Sequence, residues 1–384
     1  TPGTTYAIHF FGPDPATLRL TLSLLLWIAN ASITVYTVAD IQTYCDPGSS
    51  SFDCATCSAL NTSGVTSLQD VFSGTHTFDC DISGWDVSAV TNMNRAFRHA
   101  RAFNQDISSW DVSAVTDMER AFASARAFNQ DISSWNTANV QTFEYTFAAA
   151  YAFDQPIGSW DTSNARTMMS MFRGARAFNQ DISSWNTGNV QTLEHMFSEA
   201  LSFNQPLGSW NVSSVTSIRH MFFRNTVFNQ PLNEWDVSNV NNFGGLFFES
   251  GAFNQPLNRW DTSKATAMDS MFSRAYSFNQ NLSTWDTSNV VHMSAMFALA
   301  SVFNGAISTW DVSSVSTFAW MFQGANAFNQ DLSSWDVSAG SNFYLTFLNS
   351  VGLSDCNKRA IYDSWVTDQG STEFDAQYGS WSSI

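Results

Sequence analysis

The stretch Phe103–Phe122, FNQDISSWDVSAVTDMERAF, returns with small variations along most of the chain, and its spacing decides the fold. Trp recurs at Trp85, Trp110, Trp135, Trp160, Trp185, Trp210, Trp235, Trp260, Trp285, Trp310 and Trp335, each 25 residues after the last. One Phe column runs from Phe72 through Phe97 and Phe122 to Phe347, and a second from Phe78 through Phe103 to Phe328. The second column is followed by Asn at Asn104, Asn129, Asn179, Asn204 and onward to Asn329, with Asp154 standing in once. Ile or Leu fills the column from Ile82 and Ile107 to Leu332, and no insertion breaks the register. A fixed period of this length marks a stack of coils, none of which buries its apolar side unaided. The expected fold is a leucine-rich-repeat-like solenoid of about twelve coils over residues 58–353, capped at both ends.

Within a coil, Val115, Met118, Phe122 and Ala125 follow helical spacing, which predicts a short helical segment over Thr116–Ala125. The segment Asp106–Asp111 (DISSWD) is the predicted short strand, pairing in parallel with its copies. Ile107 and Trp110 are three apart, so a straight strand would turn them to opposite faces. Either the chain bends at Ser108–Ser109 or the Trp row faces out. A buried Trp spine is the preferred reading, because eleven exposed Trp in a row would be an aggregation patch. The competing reading is a row of stacking platforms for glycans.

The Asn column is expected to form an internal ladder, each amide bonding the backbone of its own turn and of the next coil. The residue after Trp is Asp in eight coils and Asn at Asn136, Asn186 and Asn211. Asp and Asn share an acceptor oxygen but not a charge, which points to an Asx-type turn. A calcium ladder is the rival, since stacked Asp side chains repel unless screened. Against it stand those three Asn and Pro156, Pro206, Pro231 and Pro256 in the other acidic column. His195 and His220 share a column with Arg95, Arg120, Tyr145 and Trp320, and are read as solvent-facing residues and not as metal ligands.

The repeat resembles the 25-residue unit of the BspA-like leucine-rich-repeat surface proteins, the type first grouped from mycoplasma lipoproteins. Thr37–Cys45 (TVADIQTYC) and Asp355–Trp365 (DCNKRAIYDSW) are similar to the capping pieces of secreted members. The resemblance implies a secreted or cell-surface solenoid used in adhesion or surface architecture. Residues 1–36 do not share it, and the lipobox cysteine of the lipoproteins is missing from the start of this sequence.

Composition narrows the partners. Charged residues are 13% and the net charge is −17, with 16 Lys and Arg read as thinly spread. A nucleic-acid binder needs a basic footprint, so nucleic acid is set aside, and anionic membranes with it. Leu20–Ala39 is free of charge and long enough to span a bilayer, but polar interruptions and an alternating Leu pattern favour β structure. Of the five cysteines, Cys45, Cys54, Cys57 and Cys80 lie near the front and Cys356 near the end. One CxxC pair without a second is a poor zinc signature, so disulfides in an oxidising compartment are expected, with connectivity open. Sequons at Asn30, Asn61, Asn211 and Asn281 are candidate glycosylation sites that agree with secretion. The lack of an initiator Met and of a basic leader is read as a mature form with its signal peptide removed.

Signatures of catalysis or nucleotide binding are missing: no GxSxG, HExxH, Walker A or GxGxxG string occurs. No enzyme, cofactor or metal is therefore expected. A helix over Val38–Cys45 within residues 37–57 should cap the front, and residues 354–384, with a helix from Ser354 to Trp365, the rear. Residues 1–36 are left as an apolar extension, expected to add Tyr6–Phe11 or Leu18–Ile28 as a strand to a neighbouring copy, head to tail. Two functions follow: a self-assembling extracellular filament or surface layer, or a monomeric adhesin or glycan-binding display protein.

Overall fold

A computed structural model describes residues 33–384. The assembly strands placed in Tyr6–Phe11 and Leu18–Ile28, and the sequon at Asn30, lie outside those residues. Each 25-residue coil meets the next through one parallel bridge, from Ser67 with Asn92 and Asn92 with Asp117 to Thr317 with Asn342.

The bridge sits at the Asp117 column and not at the predicted strand Asp106–Asp111. There the Oδ1 of Asp106 accepts from the Ser108 N–H at 2.9 Å, and the Trp110 N–H donates to the Ile107 carbonyl at 3.1 Å. The chain therefore bends at Ser108–Ser109, which turns Ile107 and Trp110 to the same side, both buried. A tight turn of this kind reproduces inward i, i+3 spacing without a strand.

The predicted helix over Thr116–Ala125 is also absent. Two backbone positions in each coil are left-handed, as at Arg120 (φ 55) and Ser124 (φ 60), which interrupts any right-handed helix. Consecutive N–H groups then point alternately. Those of Ala121, Ala123 and Ala125 donate three residues back, to Met118, Arg120 and Phe122. Those of Met118, Arg120, Phe122 and Ser124 donate forward, to Thr142, Glu144, Thr146 and Ala148 of the next coil, at 2.6–3.2 Å. Successive four-residue turns bury every third or fourth side chain, so the helical periodicity was real while its cause was different. Each left-handed non-glycine residue costs about 1–2 kcal/mol. The forward hydrogen bonds offset that cost, because a helix would have kept those groups to itself and left the coils unjoined.

Three aromatic files fill the interior. Phe97 and Phe122 stack at 5.2 Å, Phe103 and Phe128 at 5.9 Å, and Trp85 and Trp110 at 6.4 Å, all near-parallel. Within a coil the two Phe files touch, as Phe97 and Phe103 do at 4.2 Å. Such offset stacks are the geometry that ring quadrupoles favour.

Caps close both described ends. Helix α1 (Val38–Cys45) starts on a capping box, with Thr37 accepting from the Asp40 N–H and Asp40 from the Thr37 N–H. Helix α2 (Cys54–Ser58) follows, and two disulfides pin the pair: Cys45–Cys57 between the helices and Cys54–Cys80 to the first coil. Ile33–Val35, assigned from sequence to the extension, belongs to this cap: Thr34 bridges Asn61 and Val35 is buried. At the rear, α3 (Asp355–Tyr362) runs into a wide turn over Asp363–Asp368, and α4 (Thr372–Tyr378) folds back on the last coil. The helix predicted to reach Trp365 thus ends earlier in regular form. Among the described residues no helix is long and apolar enough to cross a membrane.

Candidate ligand-binding groove

The repeated polar and aromatic columns face inward or bond to neighbouring coils. Every ladder Trp from Trp85 to Trp335 is at most 3% exposed, and its indole N–H donates to a carbonyl 28 residues earlier, as Trp110 does to Ile82 at 3.1 Å. The Oδ1 of Asn104 accepts from the Asn129 N–H, that of Asn129 from the Asp154 N–H, and that of Asp154 from the Asn179 N–H, at 2.8–2.9 Å. Gln130 and Gln155 close the same turn by donating to the carbonyls of Asn104 and Asn129. The acceptor row runs on from Asn179 through Asn204 and ends at Asn329, which accepts from Ser354 at the rear cap.

The Asp after each Trp serves its own turn: Asp111 accepts from the Ser113 N–H and Asp311 from the Ser313 N–H, each at 3.0 Å. Both carboxyls are held below the ordinary carboxylate range by the hydrogen bonds from those serines. Among the described residues no group of three or more His, Cys, Asp or Glu side chains converges as a metal site. Of the sequons, Asn211 and Asn281 lie on the surface with Oδ1 bonded to the Ser two residues on, whereas the Asn61 amide is half-buried and donates to Thr34. Cys356 is an exposed free thiol.

Function has to rest on the columns that vary. Arg98, Arg101, Arg120, Arg126, Arg173 and Arg176 gather on one face, which corrects the reading of the basic residues as thinly spread. Residues 98 and 173 occupy one column, and 101, 126 and 176 another, so the 25-residue period does carry the signal once basic residues are sorted by column.

Arg98, Arg120, Arg173 and Arg176 border a groove along the stack with a cavity of about 330 Å³, and Arg126 stands behind its Tyr151. Small residues make its floor: Ala123 and Ser124 in one coil, Ala148 and Ala149 in the next, then Gly174. Arg120 and Tyr145 form one wall, the guanidinium carbon 4.6 Å from the ring centre. Tyr151 forms the other, held between Arg126 at 5.0 Å and Arg176 at 4.7 Å. Arg98 and His99 close the front, and Arg173 and Glu199 the rear. Burial, with Arg98 and Arg101 nearby, holds His99 below its ordinary pKa.

Electrostatically the groove differs from the rest of its own face. Farther along the column of Ser124, Ala149 and Gly174, Glu249 takes Arg224 at 2.7 Å and Arg274 at 2.8 Å. Of the groove arginines, Arg120 alone has a carboxylate partner among the described residues, its neighbour Glu119. Between the two stretches stand His195 and His220, half-buried rather than solvent-facing, with Nε2 and Nδ1 3.4 Å apart. Burial, with Arg219 and His195 beside it, pushes His220 down to about 4. Gly245 supplies the left-handed φ of 59 beneath that ring, where any Cβ would collide with it.

Among curated proteins no sequence relative matches. A leucine rich cell surface protein from Faecalibacterium prausnitzii A2-165 is among the solved structures that are similar, at 13% identity and a TM-score of 0.40 over 83% of each chain. The family described as "Mycoplasma protein of unknown function, DUF285" matches in four overlapping segments, residues 47–156, 130–223, 206–298 and 278–381. These span the stack and reach into both caps, and the chain belongs to that family.

Proposed function

We propose that this chain is an extracellular, non-catalytic display scaffold whose solenoid presents a ligand-binding face. The observation that carries the reading is the division of labour among columns. The repeated Trp, Phe, Asn and Gln are used up in packing and in coil-to-coil hydrogen bonds, while Tyr145, Tyr151 and arginines that, Arg120 apart, have no carboxylate partner among the described residues collect around one groove. Two disulfides in the front cap support an oxidising, extracellular location, because such bonds do not persist among cytosolic thiols.

Head-to-tail assembly, the competing expectation, places its contact on residues outside those described. The described stack ends in caps at both sides, which favours a monomer over coil-on-coil stacking. Sedimentation and negative-stain microscopy of the oxidised protein test this, with and without residues 1–32. The expected result is a monomer in both forms. Filaments from the full chain that vanish on truncation would overturn the display reading in favour of assembly.

A further inference from the structure

We infer that the groove over Ala123–Gly174 binds a linear anionic glycan, one carrying a carboxylate or sulfate on successive sugars. This rests on the display reading and names the ligand class of its groove. Three observations lead there, the first being charge. In a chain of net charge −17, Arg98, Arg126, Arg173 and Arg176 have no carboxylate partner among the described residues, although farther along the stack Glu249 pairs with Arg224 and Arg274, in the column of Ser124, Ala149 and Gly174. Guanidinium groups left free around one depression suit carboxylate or sulfate oxygens, which they bind as a planar fork.

The second observation is shape. The floor carries only Ala123, Ser124, Ala148, Ala149 and Gly174, with no large side chain, so an extended chain can lie along the stack axis. Arg98 and Arg173 stand three periods apart, roughly 15 Å at the usual strand spacing of about 5 Å per coil. A pyranose chain advances by a comparable step per sugar, so a short oligosaccharide lying along the floor reaches from Arg98 at the front to Arg173 at the rear.

The third is the aromatic wall. Tyr145 and Tyr151 are half-buried, and their hydroxyls make no hydrogen bond among the described residues. Their rings offer an apolar flank to sugar C–H groups, and their hydroxyls a partner for sugar hydroxyls. A nucleic acid is the less suitable polyanion. Its denser charge meets stronger repulsion from the acidic remainder of the molecule, and Glu199 sits at one end of the trough.

Calorimetric titration of the full chain tests this with four probes: trigalacturonate, a sulfated heparin-derived hexasaccharide, neutral maltotriose and a single-stranded DNA oligonucleotide. Binding of the trigalacturonate or the hexasaccharide is expected, and which of them binds more tightly tells carboxylate from sulfate. Binding should weaken as salt rises. Arg98→Ala and Arg173→Ala should each reduce affinity about tenfold and Arg176→Ala at least fivefold, while Arg274→Ala, outside the groove, leaves it unchanged. These arginines lie on the surface, and an unaltered melting temperature shows that each variant folds. The inference is overturned if neither anionic sugar binds, if the groove variants bind as well as the parent, or if the DNA binds more tightly than both sugars. Maltotriose binding that the groove variants abolish would also overturn it, yet would leave the display scaffold standing. A filamentous parent protein, in contrast, defeats that scaffold reading itself.

Discussion

At the scale of single residues, the Asn ladder shows how a repeated side chain acts as backbone. Asn179 accepts from the Asn204 N–H at 2.9 Å and from the Gln205 amide at 3.1 Å, so its oxygen serves the next coil. Asp154 does the same work with the same oxygen geometry. Asn179→Asp should therefore stay within about 1 kcal/mol of the parent. Asn179→Leu leaves the part-buried Asn204 N–H unpaired, while the Gln205 amide keeps the Asn179 backbone carbonyl at 2.9 Å, and should cost about 1–3 kcal/mol for the unmet group. Denaturant titration of both variants checks this, and equal losses would contradict the acceptor role.

His220 gives a second residue-scale expectation. Its folded pKa, about 4, lies below the ordinary value of 6.5 because burial and the nearby Arg219 and His195 disfavour the charged ring; Arg173 acts the same way, and Glu194, beside His195, opposes it there. A depressed histidine leaves stability intact above the unfolded pKa and removes it as pH falls toward the folded one. Thermal stability should thus decline between pH 6.5 and about 4. His220→Gln should make that decline shallower, as followed by melting temperature against pH. The aspartates of the Asx turns, such as Asp111, are shifted below the carboxylate range and lose their contribution only at still lower pH. A variant with an unchanged slope would remove His220 from the account.

At the scale of elements, the rear cap works by imitating a coil. Trp365 lies on Trp335 at 6.2 Å and donates to the Leu332 carbonyl at 3.1 Å, as a further ladder Trp would. Asn357 donates to Asn329 in the place of a Gln, and the Tyr378 hydroxyl accepts from the Phe347 N–H at 2.8 Å. Phe374, Tyr378 and Trp381 cover Phe347 edge-on or tilted, ending the parallel file. Trp365→Ala should cost about 3–5 kcal/mol, the usual penalty for emptying a large aromatic site. It should also expose the last coil and produce concentration-dependent association in the ultracentrifuge. A variant that melts like the parent and stays monomeric would show that the cap does not close the stack. The starts of α1 and α3 were legible because the polar residues Thr37 and Ser354 precede apolar residues off the 25-residue period.

At the scale of the whole molecule, stability is a sum over coils and their interfaces, as in other quasi-one-dimensional folds. Backbone ladders and two continuous Phe files join every coil to the next, and the Trp file and the Asn–Gln rows add to most of these interfaces. Variation outside those columns leaves this sum untouched, which explains why one face can run from a basic groove to the paired arginines around Glu249 without disturbing the core. The groove was only partly legible beforehand. Its arginines share columns that the period reveals, yet whether column 120 faces column 126 across a floor depends on two left-handed turns that no propensity argument suggested.

The amino-acid sequence by itself determined the period, the register and the membership of the interior, because apolar residues repeated without insertion can be buried together in one way only. Tertiary structure decided the backbone path. Inward spacing of three and four residues is common to a helix and to consecutive tight turns, and only the hydrogen bonds between coils choose between them. It also decided where Ile107 and Trp110 point, which carbonyl each Trp meets, and which variable side chains stand together. Those outcomes depend on contacts a coil cannot make until its neighbour is in place.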